Sequence, residues 1–189
     1  MKHNRHSASS ALRRRARKIR IVLMDVDGVL TDGKIFVCAE QGGKVADIKL
    51  FHAHDGVGLK LAKQMGLFTG VISGRHSPAT AKRAIELGID FVFQGQESKL
   101  LAYQQVLKQT GATDEEVCYI GDDLPDLPLL RRVGLAVSVP NAAVEAKKNA
   151  HYITDRPGGD GAVREVIELI FKAKGQWREA VATFMIHAG

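Results

Sequence analysis

Three polar stretches and one lysine carry the chemistry available to this 189-residue chain. They are Asp25-Val26-Asp27-Gly28, Ser73-Gly74-Arg75, Lys99 and Gly121-Asp122-Asp123-x-x-Asp126. Asp25 and Asp27 are spaced i, i+2, so an extended backbone turns both carboxylates to one side. One can then attack phosphorus while the other donates a proton to the leaving oxygen. Gly28 permits a sharp turn directly after the pair. The Ser73 hydroxyl and Gly74 amide suit phosphate oxygens, and Lys99 adds a compact positive charge. Asp25, Asp27, Asp122, Asp123 and Asp126 would repel one another without a cation. Hard oxygen donors of this kind suit magnesium, which also offsets repulsion between a carboxylate and a phosphoryl group.

Taken singly, each signal is weak. Asp-x-Asp is common in loops, Ser-Gly is an ordinary turn, and a helix lysine is usually solvated. Their weight comes from where the surrounding elements place them. Residues 19–24, 67–72, 91–93, 117–120, 135–139 and 152–154 are short, apolar-rich runs that read as strands. Residues 34–38 and 44–51 flank Gly42-Gly43, the punctuation of a hairpin. Helices are expected from Asp55 to about Met65, from Ser77-Pro78 to Gly88, over 98–109, near 141–149 and over 162–174. The apolar Leu101, Val106 and Leu107 are expected in the core. Alternating strands and helices predict an α/β fold, a Rossmann-like parallel sheet flanked by helices, with a hairpin insertion after the first strand. Ligands of such sheets sit beyond the strands' carboxyl ends, where the chemical stretches fall.

Only 45 residues separate Asp27 from Ser73, and 25 separate Ser73 from Lys99. Neither gap holds a cap domain, so a neighbouring subunit is the natural cover for the site.

Composition excludes other classes. The chain is 45% apolar and 25% charged, as globular domains are, and no apolar run is long enough to span a membrane. Residues 1–20 carry charge without an apolar stretch, so no secretory signal is expected. Two cysteines make no disulfide framework or zinc spacing, which fits a reducing cytoplasm. Residues 1–20 hold eight Lys/Arg and no acid, whereas the remainder holds 19 Lys/Arg against 21 Asp/Glu. A basic arm on a mildly acidic body disfavours nucleic acid and membrane as partners. The expected division is a disordered arm over 1–18, a catalytic domain over 19–174 and a tail over 175–189.

Asp25 through Gly33, Ser73-Gly74-Arg75, Lys99 and Gly121-Asp122-Asp123-x-x-Asp126 resemble the four motifs of the haloacid dehalogenase superfamily. The resemblance implies Asp25 as nucleophile forming an aspartyl-phosphate and Asp27 as general acid/base. It implies Ser73 and Lys99 as phosphoryl-holding groups. Magnesium would take the Asp25 carboxylate, the Asp27 backbone carbonyl and Asp122, with Asp123 or Asp126 in support. Asp55-Gly56, Gln94-Gly95 and Gly158-Gly159-x-Gly161-Ala162-Val163-Arg164-Glu165 extend it to the cap-less branch, the 3-deoxy-D-manno-octulosonate 8-phosphate phosphatase family. That branch implies a small sugar-acid phosphate as substrate and a homotetramer whose hairpins and C-terminal tails help enclose the sites. It also places Gly74, Arg75 and Arg83 on the substrate side, the arginines suited to a carboxylate.

Two positions depart from that branch. His54 stands where arginine is usual and Asp160 where a basic residue is common, so a nine-carbon keto-sugar acid 9-phosphate is the nearest alternative substrate. His52, His54 and Asp55 admit a second metal site, though a polar strand face or oligomer contact explains them more simply. A phosphorylatable receiver module shares the residue types, but there the lysine follows the acidic pair, whereas Lys99 precedes Asp122-Asp123.

Overall fold

The computed structural model describes residues 10–39 and 45–188. Six strands form a parallel sheet in the order β5-β4-β1-β6-β7-β8, comprising β1 (Ile21–Met24), β4 (Phe68–Ile72), β5 (Phe91–Phe93), β6 (Val117–Ile120), β7 (Leu135–Ser138) and β8 (Tyr152–Ile153). β1 and β6 are buried along their whole length, as expected of central strands that carry helices on both faces. β2 (Phe36–Ala39) and β3 (Val45–Ile48) pair antiparallel as a separate two-stranded ribbon. The turn expected at Gly42-Gly43 lies outside the described residues.

Register positions the chemistry. Met24 lies level with Val71 on one side and Ile120 on the other, so the chain leaves β1, β4 and β6 at nearly one height. Asp25, Ser73 and Gly121 are the next residues out of those strands. The expected crossover helices are α2 (Ala53–Gln64), α3 (Pro78–Leu87), α4 (Lys99–Thr110), α6 (Val144–Lys148) and α7 (Ala162–Lys174), with a short α5 (Leu127–Leu130) unforeseen. α3 opens as expected, with Ser77 Oγ accepting from Thr80 N at 3.1 Å, and ends at Gly88 in the left-handed region. Leu101, expected in the core, is 61% exposed, because α4 turns the Ala102, Tyr103 and Val106 stripe inward.

Asp55 does not cap its own helix. α2 starts two residues earlier, with His52 Nδ1 accepting from His54 N at 3.3 Å. The Asp55 carboxylate instead accepts from Gly161 N at 3.2 Å and Arg164 N at 2.8 Å, capping α7. Its oxygens thus satisfy helix N–H groups rather than join the two histidines around a metal.

Both ends carry helices. Residues 10–18 are not disordered; they form α1 (Ser10–Lys18), which packs on α7 with Leu12 and Ala16 buried. Arg17 Nε donates to Ala173 O at 2.8 Å, satisfying a carbonyl in the last turn of α7, and Arg15 Nη1 donates to Gly134 O at 2.7 Å. The C-terminal segment folds as α8 (Trp177–Ala188) against α2 and α7 of the same chain, with Ala180 fully buried. The Trp177 ring carries Arg164 and Lys172 at 5.4 and 5.3 Å, an arrangement favourable for cation–π attraction.

Candidate active site

A cleft of about 430 Å³ opens at the carboxyl ends of the strands, and Asp25, Asp27, Ser73, Gly74, Arg75, Lys99 and Asp122 all line it. These residues are far apart in sequence, and the parallel register brings them together. Arg83 does not line the cleft. Its guanidinium lies against Gly56 of α2, with Nη1 3.3 Å from Glu86, so within one chain it does not face the proposed substrate side.

Asp25 leaves β1 with its backbone N–H bonded to Ile120 O at 3.0 Å, and its side chain is 9% exposed. Lys99, the first residue of α4, reaches across to it. Lys99 Nζ donates to Asp25 Oδ1 and to Asp126 Oδ1, each at 2.6 Å, and to the Tyr119 hydroxyl at 3.3 Å. Burial alone would lower the Lys99 pKa, but the Asp25 and Asp126 carboxylates outweigh it and hold the ammonium charged.

Asp126 is an anchor within this group. Its Oδ2 accepts from Asp122 N at 2.9 Å and Asp123 N at 3.1 Å, and its Oδ1 accepts from the Tyr119 hydroxyl at 2.6 Å. The acidic loop is therefore folded around its own last carboxylate. Asp123 caps the turn at Leu124–Asp126, accepting from Leu124 N at 2.8 Å. Asp122 is left facing the cleft.

Gly28 explains how Asp122 reaches Asp25. Its φ of 109° lies in the left-handed region, and a Cβ there would overlap the Asp122 carboxylate. The turn is backed from below by Gly158, whose own Cβ would overlap the Gly28 carbonyl oxygen, while Gly159 N donates to Val29 O at 2.9 Å. The glycine-rich loop before α7 is thus a support for the first motif.

Asp25, Asp122 and Asp126 each offer an oxygen within 4.8 Å of the others. Burial, opposed by Lys99 and reinforced by Asp126, pushes Asp25 up to about 6. Burial and the Asp25 and Asp126 charges push Asp122 up to about 7. Raised carboxyl pKa values of this kind come down when a further cation arrives, and hard oxygen donors on a polar cleft fit a small divalent one. With Asp126 committed to four hydrogen bonds, Asp25 and Asp122 are the side chains best placed to hold it.

Ser73 is buried; its Oγ accepts from Arg75 N at 3.2 Å, which leaves the hydroxyl hydrogen for a ligand. The Asp27 carboxylate has cationic partners of its own. It pairs with Lys49, and its Oδ2 lies 3.8 Å from Arg75 Nε. Lys49 and Tyr119 were not singled out by the sequence. A lone lysine between Ile48 and Leu50 at a strand end was the available signal for the first. Tyr119 reads as an ordinary member of an apolar strand.

The family model for haloacid dehalogenase-like hydrolases matches residues 60–167. The 3-deoxy-D-manno-octulosonate 8-phosphate phosphatase of Escherichia coli (strain K12) is 39% identical over 166 residues, covering 88% of this chain and 86% of that enzyme. The crystal structure of the Moraxella catarrhalis enzyme of that name, in complex with magnesium, phosphate and a KDO molecule, superposes with a TM-score of 0.87. It has 41% identity and covers 93% of this chain and 99% of that one. The cobalt-bound form from Haemophilus influenzae has a TM-score of 0.82 at 36% identity, covering 90% and 99%.

Proposed function

The chain belongs to the haloacid dehalogenase-like hydrolases, and from that premise we propose that it is a magnesium-dependent phosphatase hydrolysing 3-deoxy-D-manno-octulosonate 8-phosphate to the free sugar acid and phosphate. The product is a precursor sugar for lipopolysaccharide. The observation that carries the chemistry is the buried Asp25 carboxylate, 2.6 Å from Lys99 and facing the same cleft as Ser73 and Gly74. The substrate follows from near-full-length similarity to enzymes of that name.

Asp25 attacks phosphorus and forms an aspartyl-phosphate. Asp27 gives the sugar alkoxide a proton as it departs, then takes a proton from the water that hydrolyses the phosphoenzyme. Ser73 Oγ, the Gly74 N–H and Lys99 Nζ hold the phosphoryl oxygens, so charge developing in transfer meets preorganised donors. Asp25, Asp122 and the Asp27 carbonyl would hold magnesium, which would supply the positive charge that offsets repulsion between the attacking carboxylate and phosphate. Arg75 is the arginine on the sugar-acid side of the cleft.

Residues 19–174 form the catalytic domain in this reading, with α1 and α8 docked on it. The chain acts in the cytoplasm as a homotetramer. Ile35, Phe36, Ile48 and Leu50 of the ribbon and its flanks are 47–74% exposed, an apolar surface suited to a second copy. Light scattering tests the assembly.

Phosphate release measured across a panel of sugar phosphates, with magnesium and with excess EDTA, tests the function. The eight-carbon sugar-acid phosphate should have the highest kcat/KM, EDTA should silence it, and Asp25→Asn should be inactive though folded. Near-wild-type turnover by Asp25→Asn would remove the nucleophile. A preference for the nine-carbon 9-phosphate would reassign the substrate.

A further inference from the structure

Lys49 stands just beyond β3, between two outward-facing apolar residues, Ile48 at 47% and Leu50 at 74% exposed. Its own side chain is 5% exposed, an environment a lysine enters only with a partner. The partner is Asp27 Oδ1. Asp27 is therefore gripped from two segments, by Lys49 at the exit of the ribbon and by Arg75 on the loop after β4. Asp25, two residues earlier, has its own cation in Lys99. Each carboxylate is thus paired with a different lysine.

We propose that Lys49 is a positioning residue that fixes the Asp27 carboxylate where it can protonate the departing sugar oxygen. Lys49 does not line the cleft, so it acts through Asp27 and not on the substrate. The inference rests on the assignment of Asp27 as the acid. It also gives the ribbon a role in the chemistry, because the chain leaving β3 turns Ile48 and Leu50 outward and Lys49 in.

Leaving-group dependence separates this role from a structural one. An alkyl phosphate must have its leaving oxygen protonated, whereas p-nitrophenolate departs without help. kcat/KM reports the steps through phosphoenzyme formation and is blind to its later hydrolysis. Wild type, Lys49→Met, Lys49→Arg and Asp27→Asn should be compared on the sugar-acid phosphate and on p-nitrophenyl phosphate, with thermal unfolding of each. Well-placed acids contribute about 10²–10⁴-fold, so Lys49→Met should lose roughly 30-fold on the sugar phosphate. On p-nitrophenyl phosphate it should lose less than about 3-fold. Lys49→Arg, which conserves the charge, should recover most of the difference. Should Lys49→Met fail to fold, Lys49→Gln, which keeps one neutral donor, carries the same comparison. Equal losses on both substrates, or no loss, in a Lys49 variant while Asp27→Asn discriminates between them would overturn the role of Lys49 and leave Asp27 as the acid. An Asp27→Asn variant that loses equally on both would overturn the acid itself, and the inference with it.

Discussion

Lys99 Nζ and Asp25 Oδ1 lie 2.6 Å apart although they stand 74 positions apart in the chain. The pair spans the sheet's carboxyl edge, since Asp25 directly follows β1 and Lys99 opens the helix that follows β5. Lys99 is also bonded to Asp126, so one ammonium sits between two buried carboxylates. Replacing Lys99 with methionine preserves the stem but removes the cation that both carboxylates share. Breaking a buried pair on one side costs about 3–5 kcal/mol, and part of that should be recovered by protonation. Lys99→Met should therefore unfold at lower urea concentration, most visibly at neutral pH, and lose phosphate inhibition. Unchanged phosphate inhibition would detach Lys99 from the phosphoryl site.

The contact between Gly158 and Gly28 gives a second expectation. Gly158 does not line the cleft, yet a Cβ there would overlap the carbonyl of the turn that lets Asp122 approach Asp25. Overpacking of this kind typically costs about 1–3 kcal/mol, and the turn is the part free to yield. Gly158→Ala should lower the thermal midpoint and raise the magnesium concentration needed for half-maximal activity. A variant with a wild-type magnesium requirement would show that the loop does not set the metal site's geometry.

Ionisation of the acidic cluster predicts how stability varies with pH. Asp25 at about 6 and Asp122 at about 7 both lie above their ordinary value of 3.8. Between about pH 4 and 7 these two groups bind more protons in the folded chain than in the unfolded one, so their contribution to metal-free stability should fall as pH rises through that window. His151, pulled down by burial and by Arg15, works in the opposite direction. The difference with and without magnesium isolates the cluster. Magnesium binds the deprotonated carboxylates, so its gain in thermal midpoint should be larger at pH 7.5 than at pH 5. An equal gain at both would place the metal elsewhere.

The sheet and the residues of the cleft were legible because each depends on local pattern. Short apolar strands, Ser77-Pro78 and Gly88 bounding α3, and acidic loops after β1 and β6 are all written in consecutive residues. What was not legible depends on contacts between distant segments. Asp55 looks like the cap of the helix it sits in, and only the fold shows it capping α7. Lys49 looks like a strand lysine until Asp27 is found beside it. Arg83 has helical spacing from Arg75, but α3 turns it onto Gly56. The arm failed for a different reason. Its arginines mask a stripe of Leu12, Ala16 and Ile19 at i, i+4 and i+7, and a charged surround is read as solvated unless that stripe is counted.

That stripe yields the last expectation. Leu12 is 8% exposed, and Ala16 and Ile19 are fully buried within the same apolar cluster as Val166, Ile170 and Phe171 of α7. Arg17 adds a hydrogen bond to Ala173 O near the end of α7. α1 lies on the amino-terminal side of the sheet, beside Glu115 and Gly134 and away from the cleft that Asp25 opens, so its loss should weaken the fold without touching the chemistry. Leucine-to-alanine changes in cores cost about 2–5 kcal/mol, and a position at the edge of the cluster belongs near the low end. Leu12→Ala should lower urea-unfolding stability by about 2 kcal/mol while kcat/KM at low temperature stays within about 2-fold of wild type. Removal of residues 1–18 should cost more, since it uncovers the α7 face that Leu12 and Ala16 now shield. If Leu12→Ala unfolded at the wild-type urea midpoint, α1 would contribute no stability, and its basic residues would need a different explanation.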